Sequence, residues 1–278
     1  MVLFQAERGM VMYSRVYVEI TNSCNLQCSF CHGHGRKKRF MAEGEFLHIL
    51  KQLQGKTEYL YYHLMGEPLL HPQLPRFLEL AKERGFRSNL TTNGTLLAKR
   101  GEEILKAGVH KINISLHSLE EGDPETYVED CAAFAKLAKT FGTIVSFRLW
   151  TGKNDVILEK LQKYLPGDWQ ANTRGFRIRD GIFLEYGEEF RWPDMAETEG
   201  DGRIACYGMR DHFGILADGT VVPCCLDSEG VIALGNIFTE ELSDILTSLR
   251  AVAICKGFQN RKATEELCRK CGYARRFQ

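Results

Sequence analysis

With 278 residues, 44% of them hydrophobic and 26% charged, the chain is long enough for one large α/β domain, or for a domain of about 200 residues with a small appendage. Its 36 Lys and Arg balance 36 Asp and Glu, so no global field recruits nucleic acid or an anionic membrane. No apolar run is long enough to span a bilayer, and Met1 to Arg15 lacks the basic-then-apolar pattern of an export signal, which points to a cytoplasmic protein.

Along the chain, β-rich runs alternate with helical ones. Arg15–Ile20 reads as a strand and 40–53 as a helix. Strand 58–63 and helix 73–84 follow, then strand 86–90 and helix 95–107, strand 111–116 and helix 127–139, strand 143–150 and helix 155–164. Residues 176–179 read as a sixth strand. Such βα repeats call for a parallel sheet with right-handed crossovers. About six units are too few to close an eight-stranded barrel, so the expectation is a partial (β/α)6 TIM-like barrel over 1–187, with ligands at the C-terminal strand ends. Residues 188–203, acidic and aperiodic, read as a linker. Residues 204–278 read as a small cysteine-rich domain, with a β-hairpin turning at Asp218-Gly219 and a helix over 240–251.

Ten cysteines in a chain without an export signal favour metal binding or redox chemistry over disulfides. Cys24, Cys28 and Cys31 stand in C-x3-C-x2-C spacing just after the first strand. Three thiolates from one loop can hold three irons of a [4Fe–4S] cube, and the missing fourth cysteine implies an exogenous ligand on the last iron. Structural zinc is the alternative. Cys28 to His32 also matches the C-x-x-C-H haem attachment pattern, which would leave Cys24 unexplained; His32 and His34 read as loop residues. The run Arg36 to Arg39 reads as a solvated basic face, too short to indicate nucleic-acid binding.

This cysteine spacing resembles that of the radical S-adenosylmethionine (SAM) superfamily. Met65-Gly66-Glu67-Pro68 looks like the family's Gly-Gly-Glu-Pro motif, which binds the SAM amino group, with Met65 in place of the first glycine. Thr91-Thr92-Asn93-Gly94 is similar to another recurrent segment. Ser115 and Arg148 stand where the family contacts SAM, and a guanidinium fork suits its carboxylate. The resemblance thus implies cofactor contacts from Gly66, Glu67, Pro68, Thr92, Asn93, Ser115 and Arg148. It also implies a chemistry: one electron from an external flavodoxin- or ferredoxin-type reductant splits SAM at the cluster, and the resulting 5′-deoxyadenosyl radical abstracts hydrogen from a substrate.

Downstream, Gly219 to Cys224 and the C-x2-C pair Cys268–Cys271 resemble a twitch domain, a shortened relative of the SPASM domain. The resemblance implies one auxiliary [4Fe–4S] cluster on Cys206, Cys224, Cys268 and Cys271. Cys225 is an alternative ligand to Cys224, and four thiolates also suit structural zinc. Cys131 and Cys255 read as buried thiols.

Three functional expectations follow. The first is peptide maturation by oxidation, crosslinking or epimerisation; epimerisation needs a hydrogen donor, for which Cys225, Cys255 and Cys131 are candidates. The second is a dehydrogenase of a small cyclitol- or sugar-like molecule. Only about 14 residues precede the first strand, which favours a small substrate or a short peptide. The third is a zinc-stabilised, non-catalytic SAM-binding protein.

Overall fold

The computed structural model describes residues 12–120, 122–150 and 154–274. The first eleven residues, part of the segment read for an export signal, lie outside them. In chain order the elements are β1 (Arg15–Val18), α1 (Glu43–Leu53), β2 (Tyr59–Tyr62), α2 (Leu74–Glu83), β3 (Arg87–Thr92), α3 (Leu97–Lys106), β4 (Lys111–Ser115), α4 (Pro124–Thr140), β5 (Ile144–Leu149) and α5 (Asp155–Tyr164). Then come β6 (Gln170–Asn172), β7 (Gly175–Arg179), β8 (Ile182–Tyr186), β9 (His212–Ile215), β10 (Thr220–Val222), β11 (Gly235–Asn236), α6 (Leu242–Thr247), α7 (Leu249–Gln259) and α8 (Glu266–Arg269).

All strands join one sheet in the order β11-β10-β9-β1-β2-β3-β4-β5-β8-β7-β6. The run β1-β2-β3-β4-β5-β8 is parallel throughout, the expected six-stranded partial barrel. The sixth barrel strand is not the expected 176–179. That segment is β7, which runs antiparallel to β8, and β8 itself closes the parallel series. An Asp180-Gly181 turn, with Gly181 at φ +74°, folds β7 back onto β8. At the other edge, β9 pairs in parallel with β1, and β10 and β11 continue antiparallel. The helix expected over 240–251 is two helices. Ser248 breaks it, because its side chain accepts from the Ala251 N–H and caps α7.

Alternation along the strands divides the barrel into two faces. Val16, Val18, Leu60, Tyr62, Leu90, Ile112, Ile114, Val145, Phe147, Ile182 and Leu184 point outward into a single core with the helices, which supply Phe46, Phe77, Ile104 and Val128. The residues between them point inward, and they are mostly polar. Among the described residues no helix is long and apolar enough to cross a membrane.

Candidate active site

The cysteine loop leaves β1 through Glu19 and Ile20, and it is tied down on both sides. The Glu19 carboxylate is fully buried and accepts four donors: both arms of the Arg36 guanidinium at 2.8 and 2.7 Å, the Met65 N–H and the Ala217 N–H. Arg39 donates from Nη2 to both Glu45 oxygens, at 2.6 and 2.7 Å. The basic run is therefore not a solvated face, since its two arginines turn inward to carboxylates and only Lys37 and Lys38 stay exposed. His34 Nε2 lies 2.7 Å from the Asn22 carbonyl.

Within the loop, Cys24 and Cys31 are exposed and Cys28 is half-buried. Burial raises the Cys24 and Cys28 thiols, and Cys31 adds to both shifts, so the three sulfurs share one electrostatic neighbourhood. The Asn93 Nδ2 points to Cys24 Sγ at 3.9 Å and donates to Asn25 Oδ1 at 3.0 Å. Phe30 packs on His117 with ring centres 4.8 Å apart, and Trp192 stacks on His32 while donating to the Phe30 carbonyl. A segment distant in sequence thus covers the loop. Among the described residues, no three His, Cys, Asp or Glu side chains converge on one point as ligands of a single ion. A cube makes no such demand, because each thiolate binds its own iron. Three thiols on one loop beside the C-terminal strand ends fit that group.

Gly66 adopts φ +79°, and a Cβ there would lie 2.4 Å from the Thr21 carbonyl oxygen, so only glycine lets the strand-two loop close on the cysteine loop. Glu67 is buried. Its carboxylate accepts from Leu69 N–H, Thr92 Oγ1 and Asn93 N–H, which caps the short 3-10 turn Pro68–Leu70 and fastens it to the end of β3. Burial pushes the Glu67 carboxyl up to about 7 against these three hydrogen bonds. Ser115, Arg148 and Glu185 lie side by side in register at the C-terminal ends of β4, β5 and β8. The Arg148 guanidinium sits over the Trp150 ring, with its Nε 3.8 Å from Glu185 Oε2, an ion pair without a hydrogen bond.

The second cysteine group gathers around the far edge of the sheet. Cys206 precedes β9, Cys224 follows β10, Cys268 lies in α8 and Cys271 just after it. Burial drives the Cys224 and Cys268 thiols far up, and each is raised further by Cys206 and Cys271. Cys206 is pushed up to about 11. A cavity of about 210 Å³ opens beside Cys268 and Cys271. Cys225 packs with Tyr17 on the barrel's inner face, and its thiol stays close enough to Cys224 and Cys206 to raise both. Cys131 is sealed in the core against Tyr127, and Cys255 lies on α7 beside Tyr13. All ten cysteines are free thiols.

Sequence reasoning passed over the inner-face residues Arg15, Tyr17, His63 and His212, the Glu19–Arg36 pair and the Trp192 cover. For the strand residues a signal existed. In Arg15-Val-Tyr-Val-Glu19, polar residues occupy every second position, which a core strand packed on both sides would not tolerate.

Comparison with known proteins agrees with this geometry. Residues 18–161 match the model of the radical SAM superfamily, and residues 206–272 match that of an iron–sulfur cluster-binding domain, SPASM. The chain is 36% identical over 117 residues to a probable GTP 3′,8-cyclase of Methanococcus maripaludis, across 40% of this chain and 37% of that protein. It is 31% identical over 112 residues to the GTP 3′,8-cyclase of Trichodesmium erythraeum, across 37% and 34%. The aligned stretch thus spans little more than a third of these relatives.

Among solved structures, BtrN in complex with AdoMet and 2-DOIA aligns with a TM-score of 0.64 at 17% identity over 94% of both chains. Streptococcus suis SuiB bound to precursor peptide SuiA aligns at 0.62 and 15% identity, over 94% of this chain and 70% of SuiB. Native anSMEcpe with bound AdoMet gives 0.61 and 13%, over 93% and 88%. These are likenesses of fold. The first family model alone covers just over half of the chain, on the barrel that carries the cysteine loop: the protein belongs to the radical SAM superfamily, with a [4Fe–4S] cluster and SAM as cofactors and an auxiliary iron–sulfur site in its SPASM-type C-terminal part.

Proposed function

We propose that this enzyme oxidises a polar substrate held on the concave face of the barrel. The SAM-binding cluster would sit on Cys24, Cys28 and Cys31, and an auxiliary [4Fe–4S] cluster on Cys206, Cys224, Cys268 and Cys271. The reading rests chiefly on Cys225. It follows Cys224 directly and packs with Tyr17 on the inner face, so the auxiliary cysteines abut the space that Ser115 and Arg148 border from the other side. When loaded, the first cluster with SAM supplies a 5′-deoxyadenosyl radical and the auxiliary cluster an acceptor for one electron.

The chain's own residues bind, orient and exclude water. Asn93, Ser115 and Arg148 would hold SAM, the last by pairing with its carboxylate. Gly66, Glu67, Pro68 and Thr92 shape the loop against which SAM lies. Trp192 packs over Phe30 and His32 and would help exclude water from that side of the cysteine loop. An external one-electron reductant of flavodoxin or ferredoxin type completes the cycle.

The polar, charged lining of the inner face favours a small molecule over a peptide segment. Peptide maturation is the second reading, favoured by the likeness in fold to SuiB bound to its precursor peptide. Within that reading, an epimerase would take its hydrogen donor from Cys225, which packs with Tyr17 on the inner face, and not from Cys131, which the core seals.

Anaerobic reconstitution tests the proposal. The wild-type protein should hold about eight irons and release 5′-deoxyadenosine when reduced. Changing Cys24, Cys28 and Cys31 together to Ala should abolish that release, and Cys268→Ala should lower the iron to about half. Continued SAM cleavage by the triple variant would sink the assignment.

A further inference from the structure

Strands β9, β1 and β2 bring a second polar group to the concave face, next to Arg148 on β5, whose charge reaches His63, Tyr17 and Tyr61. Arg15 stands in register with His212 on β9, and Tyr17 with Tyr61 on β2. Tyr17 is the hub. Its ring centre lies 5.2 Å from that of His63 and 5.5 Å from that of His212, and the Arg15 guanidinium lies 5.9 Å from the same ring and 5.7 Å from that of Tyr61.

Arg15 bonds the Tyr17 side chain, but three nitrogens of this group are left without partners. Arg15 Nε, His63 Nδ1 and His212 Nδ1 are buried and make no hydrogen bond. Among the described residues Arg15 forms no ion pair, and Asp211, next in sequence to His212, turns away to Arg210 at 2.7 Å. Burial, with the Arg148 and Arg15 guanidinia, pushes the His63 imidazole down to about 3, and burial with Arg15, against the opposing Asp211, pushes that of His212 down to about 4, so each is neutral at pH 7 and carries one N–H. Arg15 is half-buried and stays cationic, because Tyr17 and Tyr61 outweigh its burial, and each orphaned buried nitrogen around it is costly. Three such groups around one phenol ring make sense together as a site that lacks its ligand.

We infer that this sector of the concave face holds an anionic group of the substrate, a phosphate or a carboxylate, with Arg15 as its cation and His63 and His212 as neutral donors. The inference rests on the proposed function only in taking the concave face as the substrate side. It deepens that reading by placing the charged end of the substrate beside Cys225 and the auxiliary cysteines. The rest of the molecule is then left to extend toward Ser115 and Arg148.

Calorimetric titration of the reconstituted, SAM-saturated holoenzyme tests this directly, because SAM then occupies its own carboxylate site. Inorganic pyrophosphate and succinate serve as probes. At least one should bind. Pyrophosphate alone would mark a phosphate, succinate alone a carboxylate, and both the shared charge. Arg15→Gln should weaken binding by about tenfold or more, the scale of a lost charge-assisted hydrogen bond, and His212→Gln by about threefold. Lys99→Gln, on an exposed helix face, should change nothing. His212→Gln carries the test if Arg15→Gln does not fold. No binding of either anion, or binding unchanged in these variants, overturns the inference. SAM cleavage by the same preparation reports separately on the proposed function.

Discussion

At Glu67 three donors converge on a carboxylate that water does not reach, and burial still outweighs them, raising the group to about 7 from its usual 4.5. The sign of the pH effect follows. Between these values the folded protein binds a proton that the unfolded chain has released. The stability this group contributes is therefore complete below about pH 4.5 and is lost as pH rises through about 7. Glu67→Gln should flatten the fall in melting temperature across that window. It should also cost about 1–3 kcal/mol at neutral pH, because an amide NH2 meets one of the donors now facing the carboxylate. Melting curves at several pH values, wild type against variant, check both; an unchanged pH slope would refute the argument. Such residues were partly legible. Gly66, Glu67 and Asn93 carry a motif, and their roles as turn, cap and bridge follow once the strands are placed. Arg15, His63 and His212 carry none: alternation along β1 puts Arg15 on the inner face but assigns it no role, and a lone histidine in a strand has no spacing signature. Only the parallel register of β9, β1 and β2 brings them around Tyr17.

Between elements, the Glu19–Arg36 pair reinforces the backbone bonds from Glu19 N–H to Ile215 and from Glu67 N–H to Ser23. One carboxylate fastens the end of β1 to the cysteine loop, to the loop after β2 at Met65 and to the turn after β9 at Ala217. Arg36 reaches on to the Ser228 carbonyl at 2.7 Å. Its side chain is only 12% exposed and that of Glu19 not at all, so removing one partner strands a buried charge. Arg36→Met should lower stability by about 3–5 kcal/mol, read from the urea midpoint at an unchanged slope. A loss below about 1 kcal/mol would mean that the pair behaves as a surface ion pair. Composition reads four adjacent basic residues as a solvated patch because it carries no information on which carboxylate lies across the fold. The sixth strand was misread for a related reason. Residues 176–179 and 182–186 are both β-rich, and only the Asp180-Gly181 turn between them says that one folds back on the other. The break at Ser248 was likewise written in the sequence as a capping residue inside an otherwise continuous helical pattern.

Over the whole molecule, the auxiliary-site segment and the barrel share one sheet and one core. Strand β9 lies against β1 over four register pairs, α1 bonds to the C-terminal part through His48 to the Ile237 carbonyl and through Gln52 to the Leu242 N–H, and Phe213, Ile237 and Ile254 belong to the same core as the barrel strands. Independent domains keep separate cores with few contacts across them. Here the contacts run through a strand pair, which implies that the two parts unfold together. Phe213 is the place to test it, because it is fully buried on β9 and packs edge-on to Tyr13 at 4.8 Å. Phe213→Ala should cost about 3–5 kcal/mol. The loss should appear in full in the fluorescence of Trp150, Trp169 and Trp192, all of which precede the C-terminal cysteine group in the chain. A far-UV transition that splits in two while the tryptophan signal keeps its wild-type midpoint would show instead that β9 detaches alone. In that case the sheet would transmit no support from the auxiliary site to the SAM end of the barrel, and the anion-binding sector on β9 and β1 would have to be rigid without it.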